Sequence, residues 1–230
     1  MNILPIVISS LCTSIGAIPI LFIKNVSHKG KDVMLSYTAG IMVAASAYGL
    51  IPSAIKLSNT TILIIGILIG TLVLTLLESL IPHTDLDNSK KDSGNSNLIL
   101  FIIAMSIHNF PEGLSVGISY GSNDLELGPL VSFAIGLQNV PEGFLIALFL
   151  VIQNVNRCKA IFFTTITDVI ELCAGIMGVF FGKFFEFVIP YGLAFAAGSM
   201  LFVVYKELIP ESHGDGNERA STITFILGFI

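Results

Sequence analysis

Two short segments carry most of the chemistry that this sequence offers. His108-Asn109-Phe110-Pro111-Glu112-Gly113 is echoed thirty residues later by Gln138-Asn139-Val140-Pro141-Glu142-Gly143. Helix positions i, i+3 and i+4 share a face, so His108, Asn109 and Glu112 project together, and so do Gln138, Asn139 and Glu142. A further segment adds Asp168 and Glu171 at the same i, i+3 spacing. Imidazole nitrogen, amide oxygens and carboxylates form the mixed set that suits borderline divalent metals. No thiolate or thioether is placed to favour copper(I).

The elements that must position these groups are apolar. Hydrophobic residues make up 53% of the 230, and charged residues only 12%, against roughly 25% in a soluble domain. The chain must therefore face something other than water. Runs near the ~20 apolar residues that cross a bilayer cover 3–23, 33–55, 60–81, 98–120, 127–152, 160–182 and 187–210. An eighth, 220–230, has only 11 residues. The pattern predicts one all-α integral membrane domain of about eight helices, the last short or truncated. No positive charge precedes the first run and Lys24 follows it, so it does not read as a cleavable signal.

With the N-terminus outside, eight loop lysines and arginines fall on the inner side and only Lys56 and Lys183 outside, as the positive-inside rule requires. A net charge of −5 offers no basic face for nucleic acid. Cys12, Cys158 and Cys173 lack CxxC spacing and read as ordinary thiols. In the long polar connection 82–97, His83, Asp85 and Asp87 read as a solvated linker rather than a metal site.

A carboxylate at the bilayer centre costs roughly 2.5–3.5 kcal/mol on insertion scales, so three glutamates would cost about 8–10 kcal/mol uncompensated. No lysine or arginine lies at similar depth in their runs, which leaves protons or metal ions to neutralise them. A proton relay needs the carboxylates but has little use for a histidine and three amides. Pro111 and Pro141 release the carbonyls of Ile107 and Leu137 from helical partners, which membrane helices tolerate beside protein or a hydrated cavity. Gly113 and Gly143 then leave room for close approach. A weaker echo pairs Ala39-Gly40-Ile41-Met42 and Leu50-Ile51-Pro52 with Ala197-Gly198-Ser199-Met200 and Leu208-Ile209-Pro210. These segments fall in runs of opposite direction, as in transporters built from inverted repeats.

The paired xNxPEG motifs resemble those of the ZIP (Zrt-, Irt-like) metal transporters, and within them the bacterial ZupT-like zinc transporters. The resemblance extends over nearly the whole chain. It implies an eight-helix bundle with an inverted 3+2+3 repeat and a two-metal site on the fourth, fifth and sixth helices. One ion would be held by His108, Glu112, Gln138 and Glu142. The other would be held by Asn109, Glu112, Asn139, Glu142 and Glu171, with Glu112 and Glu142 bridging. The implied activity is uptake of divalent ions (zinc, with iron, manganese, cobalt or cadmium as further cargo) through a multi-pass protein of the bacterial plasma membrane. The ions are substrates; no cofactor is implied, and a homodimer is a candidate assembly.

Three positions depart from the family pattern: Gln138 where histidine is frequent, Gly49 where ZupT-like chains often carry a carboxylate, and Lys206 where histidine usually precedes the glutamate. Glu207 and Glu211 remain as candidates for the exit path, and Asp168 reads as a neighbour of the ligand set rather than a member. Rival readings are a membrane di-metal carboxylate enzyme and a proton- or sodium-coupled carrier of an organic solute. Bundle di-metal sites favour Glu-x-x-His and intramembrane metalloproteases His-Glu-x-x-His, whereas the spacing here is His-x-x-x-Glu. The sequence thus points to a transporter, not an enzyme.

Overall fold

The computed structural model describes residues 3–23, 26–80 and 95–230. The connection that carries His83, Asp85 and Asp87 lies outside the described residues. Helix α1 (Leu4–Ala17) tightens into a 3₁₀ turn, Ile18–Leu21, at Pro19. The second span is α2 (His28–Ala44), a π-helical turn (Ala45–Leu50) and α3 (Ile51–Leu57). Helices α4 (Thr60–Leu80), α5 (Asn95–Gly121), α6 (Leu127–Ile152) and α7 (Arg157–Phe184) follow. The seventh span is α8 (Val188–Val203), a second π turn (Val204–Leu208) and α9 (Ile209–Ser212). Last comes α10 (Glu218–Phe229).

Seven stretches of helix among the described residues are long and apolar enough to cross a membrane. The 12 residues of α10 reach only about 18 Å at 1.5 Å each, against a hydrocarbon core of roughly 30 Å. Large side chains such as Leu68, Phe133 and Phe162 are exposed on the outside of the bundle, a surface that suits lipid rather than water.

Several helices begin earlier than the apolar runs. Helix α2 starts at His28 rather than 33, because Ser27 Oγ accepts a hydrogen bond from the Gly30 amide at 3.1 Å. Helix α7 starts at Arg157, where Asn156 Oδ1 accepts from the Cys158 amide at 2.9 Å. Hydropathy marks the part of a helix that suits hydrocarbon, while a polar first turn capped by a side chain extends beyond it.

The two π turns were not foreseen, and both precede an Ile-Pro pair of the weaker echo, at Pro52 and Pro210. A proline ring clashes with the carbonyl four residues back and offers it no N–H. Widening the preceding turn relieves that clash and changes which side chains face the bundle, and such turns recur at functional sites.

The helices form two groups. In one, α5 packs along α7 and α1 along α6; in the other, α4 packs along α8 and α10 along α2. In the first group the glycines of the repeated motif set the spacing. A Cβ on Gly113 would lie 2.0 Å from the Glu171 carbonyl oxygen, and one on Gly143 would lie 1.8 Å from that of Thr13. The motif glycines are thus where two helix backbones touch, a means of association typical of membrane helices.

Candidate functional site

Helices α5 and α6 run without interruption through Pro111 and Pro141. On their facing sides, and on α7, every expected site residue is buried: His108, Asn109, Glu112, Gln138, Asn139, Glu142 and Glu171. The carboxylates are tied to amides across helices. Gln138 Nε2 on α6 donates to Glu112 Oε1 on α5 at 2.5 Å. Asn139 Nδ2 donates to Glu171 Oε1 on α7 at 2.9 Å and to the Ser9 carbonyl at 3.0 Å. The Asn109 amide lies against Glu142, and with its oxygen and nitrogen exchanged the nitrogen would donate to Glu142 Oε1 at 2.9 Å.

These bonds satisfy only half of each group. Glu112 Oε2, Glu142 Oε2, Glu171 Oε2, Gln138 Oε1 and Asn139 Oδ1 are buried acceptors without a hydrogen-bond partner among the described residues. Buried polar atoms are paired in the great majority of cases, and exceptions call for an explanation such as an ion. Among the described residues, however, no three His, Cys, Asp or Glu side chains converge closely enough to hold a metal as they stand. Each carboxylate is drawn toward its own amide N–H instead. Convergence on a cation requires Gln138 and the asparagines to turn their oxygens inward.

Asp168 is engaged by α1. Its Oδ2 accepts from the Ser14 amide at 3.1 Å and from the Ser14 hydroxyl, which fastens α7 to α1. His108 Nε2 points to Glu207 Oε1 at 3.3 Å. The second π turn thus delivers Glu207 to the single imidazole of the site.

Beyond His108 and Glu142 opens a cavity of about 430 Å³. It reaches Lys31, Glu78 and Glu211, at the ends of α2, α4 and α9. Lys206 Nζ lies 2.9 Å from Glu78 Oε2, and Lys31 is paired with Glu211. On the opposite side of the seam, Val116, Ile118, Ile135 and Leu193 are fully buried and close the bundle. Glu78 escaped the sequence reading, although it is the one charged residue in the 60–81 run. A lone acid in an apolar span was the available signal.

The sequence that builds these buried carboxylates and amides on paired PEG helices, beside a cavity, matches a known family. The profile described as ZIP Zinc transporter matches residues 82–230. The chain is 33% identical to the zinc transporter GufA of Myxococcus xanthus over 97% of its own length and 92% of the relative's. It is 31% identical to the zinc transporter ZIPB of Bordetella bronchiseptica over 94% of this chain and 74% of that one. The chain belongs to the ZIP family. Zinc transporter ZupT of Akkermansia muciniphila, 28% identical over 97% of this chain, extends the likeness to the ZupT-type proteins. Membership of ZIP places the chain among multi-pass membrane transporters rather than enzymes.

Proposed function

We propose that this ZIP protein takes up divalent transition-metal ions, zinc first and iron second, across the bacterial plasma membrane by alternating access. The observation that carries the reading is the seam itself: three carboxylates and two amide oxygens, buried with unpartnered acceptor atoms. Relatives named as zinc transporters supply the cargo. One ion is held by His108, Glu112, Gln138 and Glu142. The other is held by Asn109, Glu112, Asn139, Glu142 and Glu171, so that Glu112 and Glu142 bridge. Two divalent ions against three carboxylates leave the cluster near neutral, which offsets the cost of burying it. When the ions leave, the amides rotate and their N–H groups take over the carboxylates.

The inverted 3+2+3 arrangement of a single transporter domain is supported by the packing. Exchanging spans one to three with six to eight, and α5 with α6, turns the α1–α6 pairing into α7–α5 and α4–α8 into α10–α2. Gly40 against Phe225 of α10 answers Gly198 against Ile67 of α4. The two π turns before Pro52 and Pro210 answer each other as well.

The charge bias of the loops puts the cavity on the cytoplasmic side, as in a state ready for release. In a cysteine-free background, a cysteine between 82 and 97, or at Asp215, is therefore shielded from impermeant thiol reagents in intact cells. One at Leu125, 90% exposed between α5 and α6, reacts. The reverse labelling pattern refutes this orientation.

Competition uptake into proteoliposomes tests the ligand assignment. The first pocket holds the single imidazole, while the second is all oxygen. Zinc gains from imidazole nitrogen, and harder manganese suits oxygen. His108→Ala should lower the zinc-to-manganese uptake ratio by roughly tenfold or more, since even the partners of metal ligands are typically worth that much. Gln138→His should raise the ratio. An unchanged ratio in both variants removes these residues from selection.

A further inference from the structure

The cavity through which a divalent cation would leave carries lysine side chains on its wall. Lys206 is the more exposed of the pair described above, with 46% of its side chain accessible, while its partner Glu78 is 15% accessible. The ammonium also lies 5.9 Å from the centroid of the Phe202 ring, which steadies its stem along the same helix. Lysine has three donors and no acceptor, so it cannot ligate a metal ion. It sits next in sequence to Glu207, which reaches the imidazole of His108 at 3.3 Å.

We propose that Lys206 is a tethered counter-cation that occupies Glu78 and so keeps the release cavity from binding divalent metal on its own account. The inference rests on the transport reading above. Glu78 and Glu207 line one cavity beside His108, and two carboxylates completed by water are oxygen donors that a divalent cation accepts. An ion leaving the buried seam would meet that site next and would be retained there. A lysine fixed on the adjacent π turn competes at high effective concentration, without being carried away with the cargo. It withholds one of the carboxylates, and the departing ion passes with fewer contacts. Release, rather than capture, is what Lys206 governs.

The test compares Lys206→Gln, Lys206→Arg, Glu78→Gln and the Lys206→Gln/Glu78→Gln double variant. Zinc bound per chain is measured in detergent, and zinc uptake is measured in proteoliposomes. Lys206→Gln should hold about one more zinc ion per chain and show a roughly tenfold lower maximal rate with a lower half-saturating concentration, because tighter binding is expressed mainly as slower release. Lys206→Arg should keep the wild-type stoichiometry and rate, and the double variant should regain both. Stability loss in Lys206→Gln that Glu78→Gln does not repair indicates an ordinary structural tie and overturns the proposal. Unchanged stoichiometry in Lys206→Gln overturns it too. In the same assays, wild-type zinc uptake that is lost in Glu112→Ala shows the transport reading standing, so a Lys206 failure beside it belongs to this proposal alone. Absence of wild-type uptake overturns both.

Discussion

Glu112→Ala and Glu142→Ala should each abolish zinc uptake while the protein still inserts and folds. The expected loss is at least about a hundredfold, since each carboxylate would serve both ions and a single metal-site partner is already worth 10–100-fold. Glu112 is 1% exposed and Glu142 6%, so neither acts as a solvated surface charge. Among the described residues their Oε2 atoms have no hydrogen-bond partner, and the sequence from 98 to 152 holds no lysine or arginine to pair with them. Removing one carboxylate therefore relieves roughly 2.5–3.5 kcal/mol of insertion cost. Metal-free Glu112→Ala should consequently be at least as abundant and as heat-resistant as the wild type. A purely structural role predicts the opposite: lower abundance, with transport falling in proportion. Zinc uptake retained by Glu112→Ala at normal expression would sink the bridging assignment.

The parts of the fold that could be read from the sequence share one physical origin. Hydrocarbon demands long apolar helices, and the seven apolar runs recur as seven helical stretches of spanning length. The PEG segments were legible for the reverse reason. Buried polar groups in such runs are costly, so His108, Asn109, Glu112, Gln138, Asn139 and Glu142 stood out, and all are buried on facing helices. What stayed hidden depended on backbone geometry or on partners distant in sequence. The π turns at Ala45–Leu50 and Val204–Leu208 leave no mark on hydropathy, although the prolines that follow them were visible. Glu78 meets Lys206 across 128 positions, a pairing that no local pattern contains. The engagement of Asp168 by Ser14 is of the same kind. Amide orientation could not be read either, because asparagine and glutamine offer both a donor and an acceptor; here the N–H side faces the carboxylates.

Enlarging either motif glycine should be among the most damaging single-methyl changes in the bundle. A Cβ on Gly113 would meet not a movable side chain but the backbone of α7: the Glu171 carbonyl oxygen at 2.0 Å, its carbon at 2.7 Å and its Cα at 3.0 Å. Gly143 would meet Thr13 of α1 in the same way, at 1.8, 2.6 and 2.8 Å. Backbones cannot rotate out of contact, so the helices must separate by about 1 Å or more. Overpacking typically costs 1–3 kcal/mol even where side chains can adjust, and these sites belong at or above that range. Gly113→Ala and Gly143→Ala should thus lower the thermal midpoint in detergent, and valine at either position should prevent accumulation of folded protein. The damage also reaches function, because the carbonyl struck from Gly113 belongs to Glu171, one of the proposed ligands. Any Gly113→Ala protein that folds carries that carboxylate displaced, and should bind fewer zinc ions per chain. Gly49→Ala is the control: it lies buried in the first π turn with nothing within 4 Å of the added methyl. It should match the wild type in midpoint and zinc stoichiometry. Equal tolerance of alanine at Gly113, Gly143 and Gly49 would mean that the close contacts of α5 with α7 and of α6 with α1 do not set the helix spacing.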